Sequence, residues 1–149
     1  MNQGRIIVIT GSPGTGKTTT ASIVAKESDM DKSVHMHTDD FFHYLSKGAI
    51  PPHLPESNKQ NLVVIEAFLE AAKRYARGGY DVIVDGIVGP WFLEPWKALA
   101  QEDYEVHYIV LRASMEIRLR SKLKSVLIVQ YLKILCIIGI EVKLDAKNL

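Results

Sequence analysis

Gly11-Ser12-Pro13-Gly14-Thr15-Gly16-Lys17-Thr18 decides how this chain is read. The stretch matches G-x-x-x-x-G-K-[ST], the spacing of a phosphate-cradling loop. Glycines let the backbone turn tightly and aim successive N–H groups into one anion-sized concavity. Lys17 brings a point charge to the outer phosphates of a nucleotide, and the Thr18 hydroxyl can join a Mg²⁺ shell. A helix beginning here turns its positive pole toward the same anion. Gly11, Ser12, Pro13, Gly14, Thr15, Gly16, Lys17, Thr18 and Thr19 are therefore the expected nucleotide contacts.

The flanks supply the context this motif requires. Arg5 to Thr10 is a short apolar run rich in β-branched residues, as a buried parallel strand should be. Thr18 to Glu27 reads as a helix with Ala21, Val24 and Ala25 on one side. Strand, glycine loop and helix follow in the required order.

Composition bounds the rest. A chain of 149 residues is most simply one domain, spanning 1–149, and it is long enough for a real core. Apolar residues at 47% and charged residues at 23% are ordinary globular usage. A net charge of +1 gives no global reason to expect nucleic acid or a membrane surface as partner. Cys136 is the only cysteine, so an internal disulfide is excluded, and in its apolar run it reads as a small core hydrophobe. The N-terminus enters the first strand almost at once, which leaves no room for a signal peptide and makes the cytoplasm the expected compartment. Val126 to Ile140 is the most apolar stretch, but it is interrupted by Gln130, Lys133 and Gly139 and is shorter than the ~20 residues of a membrane span.

Apolar strands alternate with helical segments, the signature of an α/β fold. Ser33 to Thr38 is the expected second strand, followed by Asp39-Asp40 and a short helix over Phe41 to Lys47. Three prolines make Gly48 to Asn58 a loop. Lys59 to Arg77 is a long helix with Leu62, Ile65, Phe68, Leu69 and Ala72 at helical spacing, closed by Gly78-Gly79. Tyr80 to Asp85 and Tyr104 to Leu111 are strands three and four, with a helix over Trp91 to Gln101 between them. Beyond Arg112 the pattern predicts a basic helix over 114–124, an apolar helix over 126–138 and a fifth strand over 140–144. Right-handed crossovers put helices on both faces of such a sheet, and ligands bind at the carboxyl ends of its strands.

Those ends gather the candidate chemistry. Asp85 closes strand three and is placed to hold Mg²⁺ through water or to orient an acceptor. Asp39 is placed to accept the proton of an attacking hydroxyl, and Asp40 to cap the helix beginning near Phe41. Arg112, Arg118 and Arg120 follow strand four, where cations could neutralise charge on a transferred phosphoryl group. His35 and His37 point to one side of their strand, but no third ligand stands at a convincing spacing, so they read as structural or solvent-facing rather than as a zinc site. Trp91, Phe92 and Trp96 read more naturally as packing than as the wall of an acceptor pocket.

With these residues in place, the chain resembles the P-loop small-molecule kinases over nearly its whole length. The phosphate loop, Thr38-Asp39-Asp40-Phe41-Phe42, the long helix and Asp81-Val82-Ile83-Val84-Asp85-Gly86 carry the resemblance. The layout is similar to gluconate kinase, shikimate kinase and chloramphenicol phosphotransferase, and the T-D-D-F-F stretch is also similar to uridine kinase and nicotinamide riboside kinase. The resemblance implies a P-loop NTPase fold with a five-stranded parallel sheet of order 2-3-1-4-5. It implies ATP and Mg²⁺ as cofactors, Asp39 as the base, a mobile acceptor-binding region over about 41–58 and an arginine-bearing lid over about 118–124. That last segment is shorter than the family's usual lid.

The expected activity is transfer of the γ-phosphate of Mg-ATP to a hydroxyl of a small metabolite, such as the sugar acid gluconate, by a monomer or homodimer. The chain has no N-K-x-D for guanine, and Gly86 rather than a water-polarising Glu follows Asp85. Both absences favour transfer to an acceptor over hydrolysis. A nucleoside or antibiotic kinase, and a P-loop NTPase or nucleotide-binding protein without an acceptor, are the alternatives.

Overall fold

The computed structural model describes residues 3–88 and 93–112. The expected lid with Arg118 and Arg120, Cys136, Trp91, Phe92 and the expected fifth strand lie outside them. Within the described residues, four parallel strands form one sheet: β1 (Ile6–Gly11), β2 (Ser33–His37), β3 (Asp81–Asp85) and β4 (Val106–Leu111). Their order is β2-β3-β1-β4, which is the expected order as far as the fourth strand. The helices between them are α1 (Lys17–Lys26), α2 (Thr38–His43), α3 (Asn58–Arg77) and α4 (Leu93–Gln101). No helix among the described residues is long and apolar enough to cross a membrane.

Strand alternation divides the core in two. Ile6 and Val8 of β1 and Val82 and Val84 of β3 face α3 and α4, where they join Phe68, Leu69, Ala72, Trp96 and Leu99. Ile9 and Ile83 face the opposite side and meet Ala21 and Ala25 of α1. Both faces of the central strands are thus covered, which is why they read as continuous apolar runs.

α3 buries Asn61, Val64, Ile65, Phe68, Leu69, Ala72 and Ala76, a stripe at three- and four-residue spacing. Leu62, expected on that stripe, is 51% exposed; the buried position in its turn is Asn61. The helix ends in a Schellman motif. Gly79 takes φ +82°, its N–H donates to the Ala76 carbonyl, and the Tyr80 N–H donates to Tyr75. The Tyr75 and Tyr80 rings then meet edge to face at 5.5 Å, the apolar contact that accompanies this cap.

The short second helix departs from expectation. It begins at Thr38 rather than Phe41, with His37 as an extended N-cap whose side chain makes no capping bond. Asp40 is therefore inside the first turn and does not cap the helix. The cause is tertiary. Thr38 is buried against Gly86, so closely that a Cβ on Gly86 would fall 1.8 Å from the Thr38 Oγ1. Phe41 packs edge-on against Phe68 at 5.0 Å and holds the other side of the helix to α3.

Candidate nucleotide and metal site

The phosphate loop leaves β1 beside β4, with Gly11 in register with Leu111. A Cβ on Gly11 would lie 2.4 Å from the Leu111 carbonyl oxygen, so this turn admits only glycine. Gly14 and Gly16 take φ of +76° and +82°, in the left-handed region that other residues enter at a cost of about 1–2 kcal/mol. Nothing lies within 4 Å of the Cβ position at either glycine, so the loop's backbone faces open space where an anion can approach.

One carbonyl organises the loop from within. The Ser12 oxygen accepts bonds from the Thr15 N–H at 3.3 Å, the Thr15 hydroxyl at 2.8 Å and the Lys17 ammonium at 3.0 Å. Thr15 is buried and its hydroxyl is spent on this internal bond, whereas Thr18 and Thr19 are exposed at the start of α1. Burial pulls Lys17 below its ordinary pKa, and the charges of Asp85 and Asp39 oppose that shift. Both charges reach the loop lysine, Asp85 from the end of β3 and Asp39 from the first turn of α2 rather than from the end of β2. Arg112 is exposed directly after β4, next to the residue that faces Gly11.

Asp85 is 2% exposed, and its partners are ones that strand-by-strand reading missed. His37 Nδ1 lies 2.6 Å and His35 Nε2 3.2 Å from the same carboxylate oxygen, Oδ1. The two histidines are part-buried, and a third group does stand beside them. The third group comes from β3, because the parallel register places His37 beside Asp85. The signal available in the sequence was the parity match: two histidines two residues apart on an edge strand, and an acid at the end of its neighbour.

The loop after β3 is fastened across the site. The Val88 N–H donates to the Thr10 hydroxyl at 3.0 Å, and the Val88 carbonyl accepts from Tyr108 at 2.5 Å. Burial pushes the Tyr108 phenol above its ordinary pKa, with the Thr10 bond pulling the other way. The expected acceptor-binding region is fastened at its far end. The Gln60 side-chain amide pairs with both backbone groups of Ile50, at 2.8 and 2.7 Å. The Pro52 carbonyl accepts from Ser57 at 2.9 Å and Asn61 at 2.8 Å. Trp96 is 2% exposed and packs 6.1 Å from the Phe68 ring, so it belongs to the core rather than to a pocket wall.

The chain matches the AAA domain family over residues 7–123, most of its length, and belongs to that family. No curated protein matches it. Among solved structures it is similar to the Mycobacterium tuberculosis APS kinase CysC in complex with AMPPNP and APS. The identity is 19% and the TM-score 0.58, over 86% of this chain and 73% of that one. A sugar kinase from Janibacter sp. is similar at 20% identity and a TM-score of 0.57, over 80% and 67% of the two chains. The Pnkp1/Rnl/Hen1 RNA repair complex contains a chain that is 19% identical with a TM-score of 0.58, over 89% of this chain and 46% of that one. At such identities the likeness is one of fold, and the fold is that of the P-loop kinases.

Proposed function

From membership of that family and the arrangement at the strand ends, we propose that the protein is an ATP-dependent phosphotransferase acting on a hydroxyl of a small metabolite. The observation that carries the reading is the convergence on Lys17 of two charges, Asp85 from the end of β3 and Asp39 from the first turn of α2. A glycine loop with open left-handed turns supplies the anion cradle. Lys17 serves the β- and γ-phosphates, with Gly11 to Thr19 and Arg112 around the nucleotide. Asp39 accepts the proton of the acceptor hydroxyl, and Arg118 and Arg120 neutralise charge on the transferred group.

Magnesium fits hard oxygen donors: the exposed Thr18 hydroxyl is of that kind, and Asp85, whose Oδ1 is contacted by His35 and His37, would serve the ion through water. Bound there, Mg²⁺ would supply charge neutralisation on the phosphates. An acceptor-dependent reaction accords with Gly86 standing where a hydrolytic motor carries a Glu. Sugar acids such as gluconate are the acceptors to try first.

Incubation with γ-labelled Mg-ATP and a panel of sugar acids, nucleosides, shikimate and aminoalcohols tests the reading. Label transferred to one class of acceptor supports it. Fast ATP hydrolysis indifferent to every acceptor replaces it with an NTPase.

A further inference from the structure

His35 and His37 project from one face of β2, and Asp85 projects from the same face of β3. Their ligating atoms all lie within 4.8 Å of one another. The imidazole rings are tilted at 47° with centroids 4.5 Å apart, and one nitrogen from each approaches Asp85 Oδ1. We propose that His35, His37 and Asp85 form a binding site for a first-row transition ion, zinc above all, beside the phosphate loop.

The donor set selects the ion. Two imidazoles and a carboxylate are a set that Zn²⁺ takes with water in the fourth position. Imidazole nitrogen suits Zn²⁺, Co²⁺ and Ni²⁺, whereas Mg²⁺ wants oxygen. Bonds of 2.0–2.1 Å in a tetrahedron separate ligand atoms by roughly 3.3 Å. The 3.2 Å between His35 Nε2 and Asp85 Oδ1 already matches that spacing. The 2.6 Å contact of His37 Nδ1 is closer than two ligands of one tetrahedral ion stand, so this ring must draw back by a few tenths of an ångström as the ion enters.

Access is graded in the right sense. The carboxylate floor is 2% exposed, while the His35 and His37 side chains are 19% and 36% exposed at the mouth. The Lys17 charge, close enough to sense Asp85, works against any cation and argues for a moderate rather than a very tight site. Direct pairing of two imidazoles with a buried acid, with no metal, is the competing account.

Titration of the full chain with Co²⁺ separates the two, read by its visible absorption. One Co²⁺ per chain with tetrahedral-type bands is expected, bleached by equimolar Zn²⁺ and untouched by excess Mg²⁺. His35→Gln and His37→Gln, made separately and checked for folding by circular dichroism, should each weaken binding by roughly 100-fold or more, beyond the cost of losing an outer-shell partner. Absence of the bands in the folded wild type overturns the proposal, and so do bands that survive in either folded variant. If neither variant folds, the X-ray absorption spectrum of the wild type with one equivalent of Zn²⁺ decides. Two imidazole shells support the site, and fewer overturn it. The site shares Asp85 with the kinase reading but takes its two imidazoles from β2, so each can fail without the other. Acceptor-dependent transfer of label from γ-labelled Mg-ATP, measured on the wild type without transition metal, tests that reading by itself.

Discussion

Gly86 lies so close to Thr38 that a single added carbon would fall 1.8 Å from the threonine Oγ1. This contact joins the end of β3 to the first residue of α2. It sets where that helix starts and therefore where Asp39 stands.

Gly86→Ala should destabilise the protein at the upper end of the ~1–3 kcal/mol typical of forcing a methyl group into filled space. The neighbour is a buried, β-branched side chain with little room to yield. A urea midpoint lowered without change in slope is the expected result. An unchanged midpoint would show that β3 and α2 separate freely.

The same contact explains what sequence could and could not convey. α3 was legible because its apolar stripe and its closing glycines agree, and only the Leu62–Asn61 turn was misassigned. β1 and the phosphate loop were legible because their chemistry is local. The start of α2 was not, since capping preference points to Asp40 while Thr38 packed against Gly86 decides. Nor was the grouping of His35 and His37 with Asp85, which depends on a register between strands 48 residues apart at His37 and Asp85.

Thr10→Val should cost about 1–3 kcal/mol although it hardly changes shape. It leaves the Val88 N–H buried without its acceptor. Tyr108→Phe should cost less, because the Val88 carbonyl keeps a second donor in the Thr10 hydroxyl at 3.4 Å. Thermal unfolding of the two variants ranks them, and the reverse order would refute the assignment of Thr10 as the main fastening.

The lysine should show itself in pH profiles. Burial lowers the Lys17 pKa in the free protein, so its charge is lost at a lower pH than for an ordinary lysine. Below that pKa the ammonium is present to meet phosphates, and above it affinity falls. The alkaline limb of kcat/KM, which reports the free enzyme, should lie below the usual lysine range, while that of kcat shifts upward once phosphates surround the amine. Asp39→Asn removes one of the charges that hold the proton on Lys17 and should move the kcat/KM limb to still lower pH. Lys17→Ala should weaken Mg-ATP binding by about 2–4 kcal/mol, the scale for losing a charged partner. Calorimetry with an ATP analogue measures it directly.

Asp39 and Asp40 should separate by function. Both are exposed in the first turn of α2, where the helix's positive pole favours an acid, so neither position alone marks a base. The distinction lies in what each carboxylate acts on. Successive helical residues point about 100° apart, and Asp39 is the one whose charge acts on Lys17. Phe41, two residues on, holds the helix against Phe68 and so fixes that orientation. A base so placed is worth roughly 10²–10⁴ in rate. Asp39→Asn should lower kcat by that order while ATP affinity stays nearly intact. Asp40→Asn should keep most activity, since it removes only an exposed first-turn charge worth about 0.3–1 kcal/mol of helix stability. Comparable losses of kcat in both variants, or a loss confined to Asp40→Asn, would show that the proton is taken elsewhere.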